Sequence, residues 1–255
     1  MTAVTQTRST SYWLNQRVLA WCGPIYVLTI LVGLVLVAGF IPPPHPSLSA
    51  DEIAQVYAQS TTSIRIGLFI AIAGTALYAP FAAAISAQML RHEDRRRPVL
   101  AYVQLINGGL GSLVLMLAFM FMMVAAFDPS RPSEITKVIN ELGWIFLVIP
   151  FPPFCIQYLA IAIAIFQDPS EDPVFPRWVA YYNVWIAVAF LPTGLVGFFH
   201  HGPFAWNGAI SFWLAVAVYA GWLLVMTWAL LRSISEEQAA AVPVSLTQVA
   251  DASAT

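Results

Sequence analysis

Six times between Val18 and Leu231 the chain runs through more than twenty residues without an aspartate, glutamate or lysine, and no other feature narrows its fold so far. Each run has the length a helix needs to cross a hydrocarbon layer about 30 Å thick. No water reaches that layer, so a helix that satisfies its own backbone is the natural way through. The runs fall at about 18–40, 64–89, 99–126, 142–166, 178–199 and 205–231. Only Arg65 carries charge within them, and it stands at an end.

Composition agrees. The chain is 59% hydrophobic and 9% charged, against about 25% charged residues in a typical soluble domain. The expected fold class is all-α: a polytopic integral membrane protein with six transmembrane helices in one domain, 18–232. An N-terminal segment, 1–17, precedes it. The tail, 233–255, has no span-length apolar run and reads as disordered. The first run is too long for a signal peptide's apolar region and is read as a retained anchor. A net charge of −2 argues against nucleic acid as a partner. Cys22 and Cys155 both lie in apolar runs, which gives no disulfide framework.

Six crossings return both termini to one side. With that side cytoplasmic, Arg8, Arg17, Arg91, Arg95, Arg96, Arg97, Arg177 and Arg232 lie inside, and only Arg65, Arg131 and Lys137 outside. The positive-inside rule therefore predicts a multi-pass protein of the cytoplasmic membrane with both termini in the cytoplasm. Arg95, Arg96 and Arg97 are expected to hold topology and touch anionic lipid.

Two short amphipathic helices are expected on the extracytoplasmic face. Ser49 and Glu52 form a capping box, since each can satisfy the other's backbone amide; Ile53, Val56 and Tyr57 then share one side, expected to lie along the membrane surface. Ser133 opens the second helix, in which Ile135, Val138, Ile139 and Leu142 share a face and lead into the fourth run.

That fourth run carries Pro150, Pro152 and Pro153 within four positions. Each proline removes an amide donor and crowds the preceding turn, so the crossing must break there. Irregular backbone at membrane depth is tolerated only against protein or a wet cavity. The break therefore reads as the wall of a pocket in the outer half of the bilayer. Pro192-Thr193-Gly194 in the fifth run falls at the same depth. Phe151, Phe154, Phe199, Phe204 and Trp206 are the candidate lining residues. Gln157 is placed to orient a polar group of the ligand, and Arg65 to meet an acidic end.

The runs hold no buried carboxylate or lysine, which argues against an ion-coupled pump and against carboxylate chemistry in the core. Their mild polar residues, Gln104, Asn107, Asn183, Tyr78 and Tyr182 among them, read mostly as hydrogen-bonding glue between helices. No G-x-S-x-G, H-E-x-x-H, P-loop or C-x-x-C motif is present. The leading reading is thus non-enzymatic. The protein would bind or pass an apolar small molecule or lipid through an outward-facing cavity, its partners being the bilayer and other membrane proteins of a larger assembly. The alternative is a membrane enzyme or copper-handling protein. It would use His45, His200 and His201 with Met116, Met120 and Met123, which share a helical face, because thioethers and imidazoles suit copper(I). A structural subunit without ligand is the third reading.

Overall fold

A computed structural model describes residues 10–91, 98–171 and 173–252, with side chains as far as Ala241. Among the described residues the chain is helical with no strand, and six helical crossings are long and apolar enough to span a membrane. They are Thr10–Val37, Thr61–Met89, Val99–Phe127, Ser133–Gln167, Arg177–Phe198 and Ala209–Ala241. The protein is an all-α polytopic membrane protein. Arg8 and the Arg95-Arg96-Arg97 run lie outside the described residues.

Only the third crossing, α5 (Val99–Phe127), is one unbroken α-helix from end to end. The first continues from α1 (Thr10–Leu31) into a π-helical turn, Val32–Val37. The short helix α2 (Ala50–Gln59) follows, and the second crossing divides into α3 (Thr61–Thr75) and α4 (Tyr78–Met89). Pro80 explains that division: it has no amide for the carbonyl four residues back, at Ala76. The fourth crossing divides into α6 (Ser133–Val148) and α7 (Phe151–Gln167), with Pro150 between them. The fifth is α8 (Arg177–Phe190) followed by a 3₁₀ stretch, Leu191–Phe198, that begins beside Pro192. The sixth opens as a π turn, Ala209–Leu214, and continues as α9 (Ala215–Ala252).

Three boundaries differ from expectation. Thr10–Arg17 belong to the first helix rather than to a separate segment. The sixth crossing begins at Ala209 instead of 205, because Gly202–Gly208 form a loop in which the Pro203 carbonyl accepts from the amides of Ile210 and Ser211. From Ser233 to Ala252 the chain is helical, as the last part of α9. Ser233 and Ile234 are buried. Arg91 donates to the Ser233 hydroxyl at 2.9 Å, and Arg17 to Ser235 and Gln238 at 3.2 Å each. Glutamate, glutamine and alanine in this stretch are good helix formers, so propensity and docking act together.

The capping box forms as expected. The Ser49 amide donates to the Glu52 carboxylate at 2.7 Å, and the Glu52 amide donates to the Ser49 hydroxyl at 3.3 Å. The Ser49 amide, and the Ser49 hydroxyl donating to the same carboxylate oxygen at 2.8 Å, hold the Glu52 carboxyl below the usual carboxylate range. Ile53 and Tyr57 are buried against the bundle, and Tyr57 donates to Asn140 of α6 at 3.0 Å. The helix opened by Ser133 forms as α6. Nothing breaks the chain between Ser133 and Val148, so it is the first half of the fourth crossing. Its apolar face points outward, with Ile135, Val138 and Leu142 exposed, while Thr136, Asn140 and Trp144 face the core. That inversion suits a helix bathed in hydrocarbon.

The core consists of two clusters. One, on the side of the termini, packs Trp13, Tyr78, Phe81, Tyr158 and Trp222; the other packs Phe40, Tyr57, Phe119, Trp144 and Phe212. Gly33 and Gly67 meet backbone to backbone, where a side chain on either would collide with the other's carbonyl. This pins the π turn of the first crossing against α3.

Candidate functional site

Between the two clusters lies a cavity of about 220 Å³. Its walls come from the first crossing (Tyr26, Leu31, Leu34), the third (Leu115, Phe119), the fourth (Val148, Pro150, Phe154) and the sixth (Phe212, Trp213, Tyr219), with Phe190 at the end of α8. Each wall except that of α5 includes or adjoins an interruption of regular helix. Pro150 and Val148 belong to the proline break, Leu34 and Val35 to one π turn, and Ser211, Phe212 and Trp213 to the other. π turns are rare and recur at functional sites. Here they widen the helices where the bundle would otherwise close.

The proline break has a specific geometry. The Ile149 amide still closes α6 by donating to the Ile145 carbonyl at 2.9 Å. Pro150, Pro152 and Pro153 then offer no amides to the carbonyls of Phe146, Val148 and Ile149. Phe151 makes a tight turn, donating to Ile149 at 2.6 Å. The chain re-enters helix with Phe154 turned inward and buried, its ring 5.4 Å from that of Tyr219.

The first and sixth crossings are joined on the side of the termini by the bonds from Arg17, and midway by Tyr26 and Tyr219, whose hydroxyls are 3.3 Å apart. Beyond that point Leu31, Leu34 and Val35 face Trp213 and Val216 across the cavity. Leu31, Trp213 and Val216 are 46%, 44% and 40% exposed, so the cavity opens sideways between these two crossings, on the surface that meets lipid. Ser211 is occupied within the protein, donating to the carbonyls of Phe204 and Pro192 at 3.0 and 3.2 Å.

Of the residues chosen from sequence, Phe154 lines this cavity. The other six candidates sit elsewhere. Gln157 accepts from the Tyr78 hydroxyl at 2.7 Å and donates to Gln104 at 3.5 Å; Gln104 in turn donates to the Ala82 carbonyl at 2.9 Å. It joins α4, α5 and α7 as glue. Phe151 packs its ring on Gly194. Phe199 and Phe204 pair at 5.4 Å in the region after the fifth crossing. Trp206 is buried with its indole donating to the Pro44 carbonyl at 2.8 Å. Arg65 donates to the carbonyls of Ala126 and Phe127 at 3.0 and 2.7 Å, capping the end of α5.

The copper set does not assemble around one point. His45 and His201 approach, with ring centroids 5.3 Å apart, and His45 Nδ1 is 2.6 Å from the Ser47 hydroxyl. His200 is exposed, as is Met120, and Met116 and Met123 are half-buried. Among the described residues no group of three or more histidines, cysteines or carboxylates is placed to hold a metal. Cys22 and Cys155 are free and buried.

Tyr26, Phe190, Phe212, Trp213 and Tyr219 went unnoticed in the sequence. Their aromatic character was visible, but their meeting depends on the π turns, and no residue pattern announced those. Fold and cavity together define a six-crossing integral membrane protein with an apolar chamber at mid-bundle. Comparison with protein-family models, curated proteins and solved structures found no match.

Proposed function

We propose that the protein holds an apolar small molecule or lipid in this cavity and takes it up sideways from the bilayer. The observation that carries the reading is an apolar chamber with a lateral mouth, formed where helix interruptions in the first, fourth and sixth crossings converge. Such a chamber excludes water and accepts apolar guests. A pocket of this character with a few polar groups is the usual form of a small-molecule site. The charge asymmetry of the loops supports placement in the cytoplasmic membrane with both termini inside, which puts the chamber in the outer half of the bilayer.

Photolabelling tests this. A diazirine-bearing long-chain alcohol, incorporated with the protein into lipid nanodiscs, is expected to label Leu31, Leu34, Trp213 and Val216 in excess. Ala215→Phe and Ala220→Phe, which fill the chamber, should remove that excess. Even labelling of the whole lipid-facing surface, Phe69 and Leu224 included, would overturn the reading.

A further inference from the structure

We infer that the chamber selects lipophiles ending in a plain aromatic ring, the ring seated against Tyr26, Phe154, Phe190 and Tyr219 and an aliphatic tail leaving between the first and sixth crossings. The inference rests on the binding reading above and adds the chemistry of the ligand.

It comes from how the wall is divided. Phe154, Phe190 and Tyr219 line the chamber as one cluster of rings, with centroids 5.4 Å apart for Phe154 and Tyr219, 6.2 Å for Phe154 and Phe190, and 6.1 Å for Phe190 and Tyr219. Tyr26 joins them from the first crossing, its ring edge-on to that of Tyr219 at 6.2 Å. Further along the same two crossings the wall is Leu31, Leu34, Val35 and Val216. One end is therefore aromatic and the way out is aliphatic. A ring has a negative face and a positive edge, so aromatic pairs gain more than their buried area alone supplies. A saturated ring of the same size gains only the area.

The hydroxyls at the aromatic end are already used. Those of Tyr26 and Tyr219 are 3.3 Å apart; Tyr219 also hydrogen-bonds Tyr78, whose own hydrogen goes to the Gln157 carbonyl at 2.7 Å. Each phenol carries one hydrogen. Running from Tyr26 through Tyr219 and Tyr78 to Gln157, all three find acceptors inside the protein, and none is left for a guest. Ser211 likewise donates to backbone carbonyls. A carbonyl head would sit at this end without a donor, which is costly in a low-dielectric site. A charged head is worse placed, because no charged side chain lines the chamber to balance it. A plain ring needs neither.

Competition against the photolabel in nanodiscs tests this. The probes are decylbenzene, decylcyclohexane as its saturated counterpart, and decyl acetate as the carbonyl-bearing one. Contact with one ring of the seat corresponds to about five-fold tighter displacement by decylbenzene than by decylcyclohexane. Decyl acetate should also displace more weakly than decylbenzene. Tyr26→Phe should keep the preference, since the ring stays and the hydrogens of Tyr219 and Tyr78 keep their acceptors. Phe154→Leu and Phe190→Leu should each shrink the preference while decylcyclohexane still displaces the label. Equal displacement by decylbenzene and decylcyclohexane in the native protein would overturn the inference, as would strongest displacement by decyl acetate. So would a preference that survives both leucine variants and disappears in Phe212→Leu, which lines the chamber within the other core cluster. Failure of every probe to displace the label would instead count against the binding reading itself.

Discussion

At Arg65, two backbone carbonyls at the end of the third crossing hold the guanidinium that the sequence offered to an acidic ligand. Both sit at the negative end of the helix dipole, so the cap is electrostatic as well as geometric. Arg65→Gln is therefore expected to lower stability by about 1.5 kcal/mol, the low end for hydrogen bonds to a charged group, because the site is half-exposed. A thermal melt in detergent reads that loss. Photolabelling of the chamber should stay unchanged, since Arg65 does not line it; a drop in labelling without a drop in melting temperature would contradict the assignment. Gln157 teaches the same lesson from the other direction. A polar residue in an apolar run announces that it needs a partner, but the partner here is Tyr78 on another crossing, and tertiary contact is invisible in a local pattern. Phe154 was legible because Pro150 and Pro153 flank it and prolines act on the chain locally.

Elements were the most readable level, for a physical reason: hydrocarbon imposes length and polarity on every crossing. The interruptions were less so. Prolines 80, 150 and 192 explain three of them, whereas the π turns at Val32–Val37 and Ala209–Leu214 follow from packing, the first against Gly67. The helix at Ser133 was legible as a helix, but its continuity to Val148 as the first half of the fourth crossing, with Ile135, Val138 and Leu142 turned outward, was not. The fourth crossing yields the sharpest test. Replacing Pro150 alone by Ala should leave the break in place, because Pro152 and Pro153 still withhold amides from Val148 and Ile149. Replacing all three should let α6 and α7 fuse. Spin labels at Ile135 and Phe166, both exposed, would then approach the separation of an unbroken helix, about 47 Å along its axis. The triple variant should also lose chamber labelling. A distance unchanged from the native protein would show that neighbouring crossings, not the prolines, hold the bend.

For the whole molecule, Arg17 and Arg91 tie the last helix to the rest on the side of the termini, whereas beyond Tyr26 and Tyr219 the first and sixth crossings part around the chamber. Orientation decides which leaflet meets the parted end. In a background with Cys22 and Cys155 replaced by alanine, His201→Cys should react with an impermeant thiol reagent on intact cells. Ala239→Cys should react only after permeabilisation. The reverse pattern would invert the molecule and move the chamber to the inner leaflet.

The gap between Leu31 and Trp213 has one more consequence. A guest that arrives through it is already dissolved in lipid, so occupancy follows its mole fraction among the lipids rather than its concentration in the surrounding buffer. Adding plain phospholipid at fixed guest and protein would thin the guest out and empty the site, although nothing in the aqueous phase had changed. Two guests of equal intrinsic fit would then be ranked by how strongly each partitions into the bilayer.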